Sequence, residues 1–394
     1  MSPEERLPAR GLLLTAGGPT YRIQKRLGLI HENSPRIVRR AFLAILMTWV
    51  PLLALSALQG NAIGHRIAVP FLRDFAVHAR FLLAVPLLLF AETILGPHLA
   101  HAAAHFITSG VVGKEDYVKF DEAIESGLNS RDSTTAEVLL VLLAYVIGGL
   151  TLWSMAVHVS TWYAIRTNSG VSLTLAGWWF LLFCVPLFQF LTMRWLWRHF
   201  LWGQFLWRMS RLNLKVIPTH PDQAAGLAFV GDAQRFFAIV LLAFSIAVAG
   251  VLADAVVYDK LPFPHFGIAV ATYLVIAIGI VLAPLLVFAP LMIKTKRTGL
   301  HEYGTFATTY TAEFQSKWIT PSTLSQDILL GTPDIRSLAD LGHSFSLIEE
   351  MNPLPMRPRT PIHLALACLI PMAPLLLTVM PLGEIVKLLL KAIG

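Results

Sequence analysis

The sequence predicts an all-α membrane protein: a bundle of about seven transmembrane helices, several kinked by proline, with a small helical cap on the cytoplasmic side. Three observations carry this reading. First, seven apolar stretches lie near 41–59, 81–100, 138–162, 171–193, 236–257, 266–293 and 362–381. Each has about the 20 residues that a helix needs to cross roughly 30 Å of hydrocarbon. Second, lysine and arginine fall on alternate sides. The connecting segments 1–40, 101–136, 194–235 and 294–361 hold 24 of them, whereas 60–74, 163–170, 258–265 and 382–394 hold 6. Basic residues near span ends stay cytoplasmic, so the N-terminus is expected inside and the C-terminus outside. Third, only 14% of residues are charged and the mean hydropathy is +0.63, whereas a soluble chain would be about a quarter charged. The net charge of +7 is spread over loops flanking the spans, where membrane orientation explains it without a nucleic-acid partner. The apolar runs are continuous and helix-length, which excludes an outer-membrane barrel. Cys184 and Cys368 both lie within spans, so neither a disulfide framework nor a cysteine metal site is expected.

Taken in order, residues 1–40 form a basic cytoplasmic arm with no cleavable signal, because the first apolar run begins at 41 behind eight basic residues. Within it Ile23, Leu27 and Ile30 oppose Arg22, Lys25 and Arg26. That is the pattern of a basic helix lying on the anionic inner leaflet, with a plain solvated arm as the alternative. Residues 41–293 form a six-span bundle whose loops 101–136 and 194–235 are helical. Tyr117, Phe120, Ile124 and Leu128 repeat at helical spacing, and Thr134 with Glu137 makes a capping-box pair that starts span three. In 294–361, Tyr303, Phe306, Tyr310 and Phe314 form one apolar stripe, and Leu338, Leu341, Phe345 and Ile348 form another. A helix start at Thr332-Pro333-Asp334 separates them. So short a segment cannot bury a large core by itself, and it reads as a helical cap. Residues 362–394 read as a seventh span followed by an amphipathic helix, with Ile385, Leu388, Leu389 and Ile393 on one side. Pro361, Pro371, Pro374 and Pro381 leave open whether this span crosses fully or is re-entrant.

A proline signature recurs along the spans: Val50-Pro51-Leu52, Val85-Pro86-Leu87, Val185-Pro186-Leu187, Ala283-Pro284-Leu285 and Ala373-Pro374-Leu375. Each proline removes a donor and frees the carbonyl four residues back. In lipid that carbonyl needs another partner, so such sites face protein or a water-filled cavity. Transporters build midplane sites from helices broken in this way. Ionisable groups within spans point the same way, because each is costly unless paired or hydrated. Arg80 and Glu92 lie twelve residues apart on span two, about 18 Å along a helix, so each needs a partner elsewhere. Asp254 near the outer end of span five could pair with Arg80, but interfacial snorkelling of the two is the favoured reading. Glu92 is too short to snorkel. It is expected to be the protonatable carboxyl of a hydrated cavity formed by spans two, four and six, near Gln189 and Pro284.

Other candidates are weaker. His98, His101 and His105 share a helical face and make a metal site geometrically conceivable, but one helix seldom converges three ligands, and interface residues are the favoured reading. Arg194, Arg198, Arg208 and Arg211, interleaved with Trp195, Trp197, Trp202 and Trp207, read as an inner-leaflet belt rather than a base-stacking surface. In the loop Pro218–Gly226, Asp222 is positioned to cap span five, leaving His220 at the cytoplasmic mouth. No nucleotide, zinc-protease, serine-hydrolase or dinucleotide motif occurs, so no cofactor is expected.

The basic arm, Phe75-Ala76-Val77-His78-Ala79-Arg80-Phe81, Thr219-His220-Pro221-Asp222-Gln223-Ala224 and Ser337-Leu338-Ala339-Asp340-Leu341-Gly342 resemble an uncharacterised family of bacterial polytopic inner-membrane proteins with no known activity. The resemblance covers nearly the whole chain and implies inner-membrane localisation. Three function classes follow from the sequence. A channel or secondary transporter for an ion or small solute comes first, a non-catalytic scaffold or sensor second, and an intramembrane enzyme acting on lipid third. Anionic lipids are the expected partners, and homo-oligomerisation is left open.

Overall fold

The computed structural model describes residues 12–30, 36–64, 67–156, 161–167, 170–319 and 333–376. In chain order its elements are α1 (Pro19–Arg26), α2 (Ile37–Leu58), α3 (Phe75–Thr108), α4 (Tyr117–Arg131), α5 (Thr134–Ala156), the hairpin β1 (Ala164–Thr167) and β2 (Gly170–Leu173), α6 (Leu175–Met209), α7 (Ala228–Tyr258), α8 (Gly267–Ile319), α9 (Pro333–Glu349) and α10 (Arg359–Leu376). Seven of these, α2, α3, α5, α6, α7, α8 and α10, are long and apolar enough to cross a membrane. The protein is an all-α integral membrane protein. The expected amphipathic helix at 381–394, Thr332 and the first eleven residues of the basic arm lie outside the described residues.

The spans are buried unequally, and the difference locates the centre of the bundle. In α3 and α7, 44% of the most apolar window is buried, but only 11% in α5, so α3 and α7 are central and α5 faces lipid. Small residues let the two central helices approach closely, as is usual where lipid removes the hydrophobic drive between helices. A Cβ on Gly250 would stand 2.7 Å from Ala79 Cβ and 2.9 Å from Phe75 O. Gly250→Leu should therefore force α3 and α7 apart and destabilise the fold by about 1–3 kcal/mol or more. Thermal unfolding of the detergent-purified protein measures this, and an unchanged midpoint would refute the packing argument.

The prolines behave as the sequence suggests but are satisfied differently. In α3 a π-helical stretch, Ala79–Ala84, immediately precedes Val85-Pro86, and in α6 another, Phe180–Cys184, precedes Val185-Pro186. The Val85 and Val185 N–H groups donate five residues back, to Arg80 O and Phe180 O, which widens each helix just before its proline. Pro284 lies in a 3-10 turn, Ala283–Phe288, and Pro374 follows one at Ile370–Met372. Pro51 stays inside continuous helix. Three carbonyls four residues before a signature proline receive a side-chain donor from a neighbouring span. Trp179 Nε1 donates to Met47 O at 3.2 Å, Tyr145 Oη to Leu182 O at 3.1 Å, and His199 Nε2 lies 2.9 Å from Ile280 O. Gln234 Nε2 also donates to Val281 O while its Oε1 accepts from Trp202 Nε1 at 2.8 Å. Protein donors thus answer these three kinks, and the one at Pro284 also borders a mostly apolar pocket of about 510 Å³.

Both sides of the bundle carry ordered structure that the hydropathy pattern does not announce. On the side with fewer basic residues, β1 and β2 pair antiparallel in the register Ala164↔Leu173 to Thr167↔Gly170. Trp162, fully buried beside them, donates from Nε1 to Asp74 Oδ2 at 2.8 Å and meets Phe71 edge-on at 5.1 Å. On the basic side Ser133, not Thr134, caps α5: Ala136 N donates to its Oγ at 3.3 Å. The Glu137 carboxylate instead accepts from Thr20 N at 2.9 Å. Helix α8 runs on for 53 residues, about 80 Å at 1.5 Å per residue. Its distal half pairs with α9, where Tyr310 Oη donates to Asp334 O at 3.1 Å and Lys296 Nζ to Glu349 O at 2.6 Å.

The basic arm divides in two. Ile23 on α1 and Leu27 just after it are exposed, but Ile30, expected on the same lipid-facing side, is 5% exposed, and Leu12 and Leu14, at 0% and 1%, belong to the main core. Gly17 and Gly18, with φ of 156° and 90°, turn the chain between the two parts. Gly18 N donates to Asp132 Oδ1 at 2.7 Å, and Arg131 Nη1 donates to Leu13 O at 2.7 Å. Residues 12–15 are therefore an inserted plug and not a solvated arm.

Candidate functional site

Glu92 lies on α3 six residues beyond Pro86 and meets three guanidinium groups. Arg40 Nη2 of α2 donates to its Oε2 at 2.6 Å, and Arg198 Nη2 of α6 donates to Oε1 at 2.9 Å. Arg194 Nη1, one turn earlier on α6, stands 3.9 Å from Oε1. Arg40, Arg194 and Arg198 are 6%, 7% and 3% exposed. Arg198 Nη2 also donates to Thr15 O of the plug at 3.3 Å and its guanidinium stacks 4.8 Å over Trp195. Thr15 can reach this depth because α3 has glycine at 96: a Cβ there would stand 2.0 Å from Thr15 Oγ1.

The electrostatics of this cage are unbalanced. One carboxylate faces three cations, so two positive charges among these four buried groups have no counter-charge. Arg194 makes no hydrogen bond among the described residues, and its nearest carboxylate oxygen is beyond the usual charge-assisted distance of about 2.7–2.9 Å. Charges held inside a membrane protein are costly unless paired and commonly mark ion or substrate pathways. A small cavity of about 20 Å³ adjoins the cage on the plug side; Arg194, Arg198, Arg131 and Trp197 line it together with one carboxylate, Glu137, which is tied to Thr20 N. It has room for about one water molecule or a small ion. Trp197 Nε1 is enclosed there without a hydrogen-bond partner.

This arrangement changes what the sequence suggested for Glu92. Its neighbours come from α2, α6 and the plug, not from span six, and its two oxygens are occupied by guanidinium donors. A free proton-loading carboxyl in a hydrated cavity does not describe it. Gln189 makes no hydrogen bond to Glu92 among the described residues. Arg194 and Arg198 are buried partners of Glu92 rather than members of a lipid belt. Arg211, stacked 5.2 Å over Trp207, fits the belt reading. The signal for the cage was present in the sequence: i, i+4 spacing places Arg194 and Arg198 on one helical face, and Arg40 heads span one. Without knowledge of which spans touch, hydropathy alone could not connect them.

The other candidates fall into two further places. Near the opposite membrane face Asp254 accepts from Phe75 N and Ala76 N at 2.9 and 3.0 Å, tying the end of α7 to the start of α3. Asp74 caps the same helix by accepting from Val77 N at 2.8 Å. Arg80 forms no ion pair with Asp254 among the described residues. Its guanidinium packs 5.3 Å over the Phe188 ring, with Nε enclosed and unpartnered. On the basic side Asp222 accepts from Ala224 N, Gly226 N and Ala228 N at 2.9, 3.1 and 3.0 Å, and His220 Nδ1 lies 2.8 Å from its Oδ1. Asp222 thus caps the first residue of α7. His105 borders the same recess as His220, whereas the His98 ring lies tilted against Phe236, with centroids 3.5 Å apart. No three histidine, cysteine or carboxylate side chains converge on a metal position among the described residues.

Comparison with protein-family models, with curated proteins and with solved structures finds no match to this chain.

Proposed function

We propose that this multi-pass protein is a secondary transporter or channel of the bacterial cytoplasmic membrane, with its N-terminus cytoplasmic, and that its solute is a small anion. The observation that carries this reading is the charge imbalance of the cage: Arg40, Arg194 and Arg198 around the single carboxylate of Glu92. Glu92 then serves as a resident counter-ion that an incoming anion partly displaces, with Arg194 as the first contact. The plug residues Leu12–Thr15 close the site from the basic side, so their withdrawal would open it. The 24-to-6 charge split supports the orientation, and the family resemblance supports the bacterial membrane. Exposed Ile23 on α1 and Leu27 just after it, beside Arg22, Lys25 and Arg26, support contact with anionic lipids.

A second reading, a scaffold or sensor, draws on the α8–α9 hairpin, which extends well past the length a bilayer needs. Flux separates the two. Purified protein in liposomes should take up one or more of chloride, nitrate, phosphate and small carboxylates. Arg194→Gln should cut that flux at least tenfold while shifting thermal stability little, because Arg194 lacks a close partner. Absence of flux for all of these anions would favour the scaffold reading.

A further inference from the structure

A second recess, outside the cage and on the basic side, has the features of a built binding site. It measures about 260 Å³ and opens between the last turn of α3, the loop 215–226 and the start of α7. His105, Lys215, His220, Asp222, Asp232 and Arg357 supply its polar lining, and Val111, Ile217 and Phe229 an apolar wall. Its frame is fixed. Lys215 N donates to Val111 O at 2.8 Å, and Ile217 N to Ala225 O at 3.3 Å. The loop is also held in an unfavourable conformation: Gln223 and Ala225, neither of them glycine, have φ of 56° and 54°. Such left-handed residues persist where surrounding bonds over-determine them, and they cluster at ligand sites. Here the Asp222 carboxylate, with its three backbone donors, imposes them.

The chemistry of the lining narrows the ligand. Asp222 is saturated by backbone N–H groups and His220, so it offers little to a cation. His220 Nδ1 lies 2.8 Å from Asp222 Oδ1 and 3.3 Å from Asp222 N, which anchors its ring at the edge of the recess. The two strong cations are held loosely. Arg357 lies 3.4 Å from Asp232 and Lys215 lies 3.6 Å from Glu115, and both side chains are more than half exposed. Exposed pairs of this kind contribute little stability, so both cations can turn to an anion. The recess lies beside the end of α3 and the start of α7, both membrane-crossing helices, and its apolar wall can accept the glycerol end of a lipid.

We propose that this recess binds a phosphate group, presented by a lipid headgroup or by a free phosphate compound, through Lys215 and Arg357. Asp232 competes with the ligand for Arg357. The inference does not depend on transport through the cage.

The test is calorimetric titration of the detergent-purified full chain with dioctanoyl phosphatidate and, separately, with inorganic phosphate. Binding of both identifies the phosphate group itself as the ligand, and binding of phosphatidate alone identifies a lipid site. Lys215→Gln combined with Arg357→Gln should weaken binding at least tenfold. Asp232→Asn should tighten it several-fold by freeing Arg357, a gain that a misfolded protein cannot give. Failure of the wild type to bind either probe overturns the proposal. So does binding that survives the double substitution, which would belong to another site.

Discussion

Replacing Glu92 by leucine should destabilise the protein by about 3–5 kcal/mol, the usual cost of removing one partner from a buried ionic network. Three guanidinium groups, each less than a tenth exposed, would be left without a carboxylate. The loss would be read as a lowered unfolding midpoint in detergent. Its origin can be separated from packing. Adding Arg40→Met and Arg198→Met should recover most of the stability, because well-packed apolar groups often replace buried ion networks without net loss. If the triple variant is no more stable than Glu92→Leu alone, the cost lies in shape and not in charge.

Asp222→Ala should cost about 3 kcal/mol, since hydrogen bonds to a charged group each contribute about 1.5–3 kcal/mol and the strained loop depends on several. The carboxylate also makes stability pH-dependent. Burial opposes ionisation of Asp222, but the backbone donors of Ala228, Gly226 and Ala224, with His220, outweigh it and hold its pKa below the ordinary value. A group depressed in the folded state contributes stability above its unfolded pKa, about 3.9 for aspartate. That contribution disappears as pH falls through the folded value. Between pH 6 and pH 3 the wild type should therefore lose more stability than Asp222→Ala. Parallel pH dependence in the two proteins would show that another group carries it.

The fold was legible in this sequence to the degree that lipid dictates it. Length and hydropathy locate seven spans because a helix is the structure that satisfies its own backbone in hydrocarbon. Four of the five signature prolines, all but Pro51, likewise marked where helices depart from regular α geometry. What hydropathy does not encode is which side chain of one span meets which carbonyl of another. Trp179, Tyr145 and His199 sit where a belt or interface reading is natural, yet they seal the kinks at Met47, Leu182 and Ile280. The same gap explains Glu92. Its need for a partner followed from the bilayer, but Arg40 and Arg198 are 52 and 106 residues away along the chain. The plug was the least legible element, because Leu12 and Leu14 are too few to register as a buried segment among polar neighbours.

The plug also imposes an order on synthesis. Thr15 and its partner Arg198 are separated by 183 residues, which a ribosome adding about 5–20 residues per second covers in about 10–40 s. During that interval α3 and α4, which meet the plug at Gly96 and Arg131, are made before α6, which supplies Arg198. The docking of this segment is thus completed only after α6 has been made. Anything that holds it aside, such as a chaperone or the lipid surface under α1, acts on the nascent chain before the bundle can close.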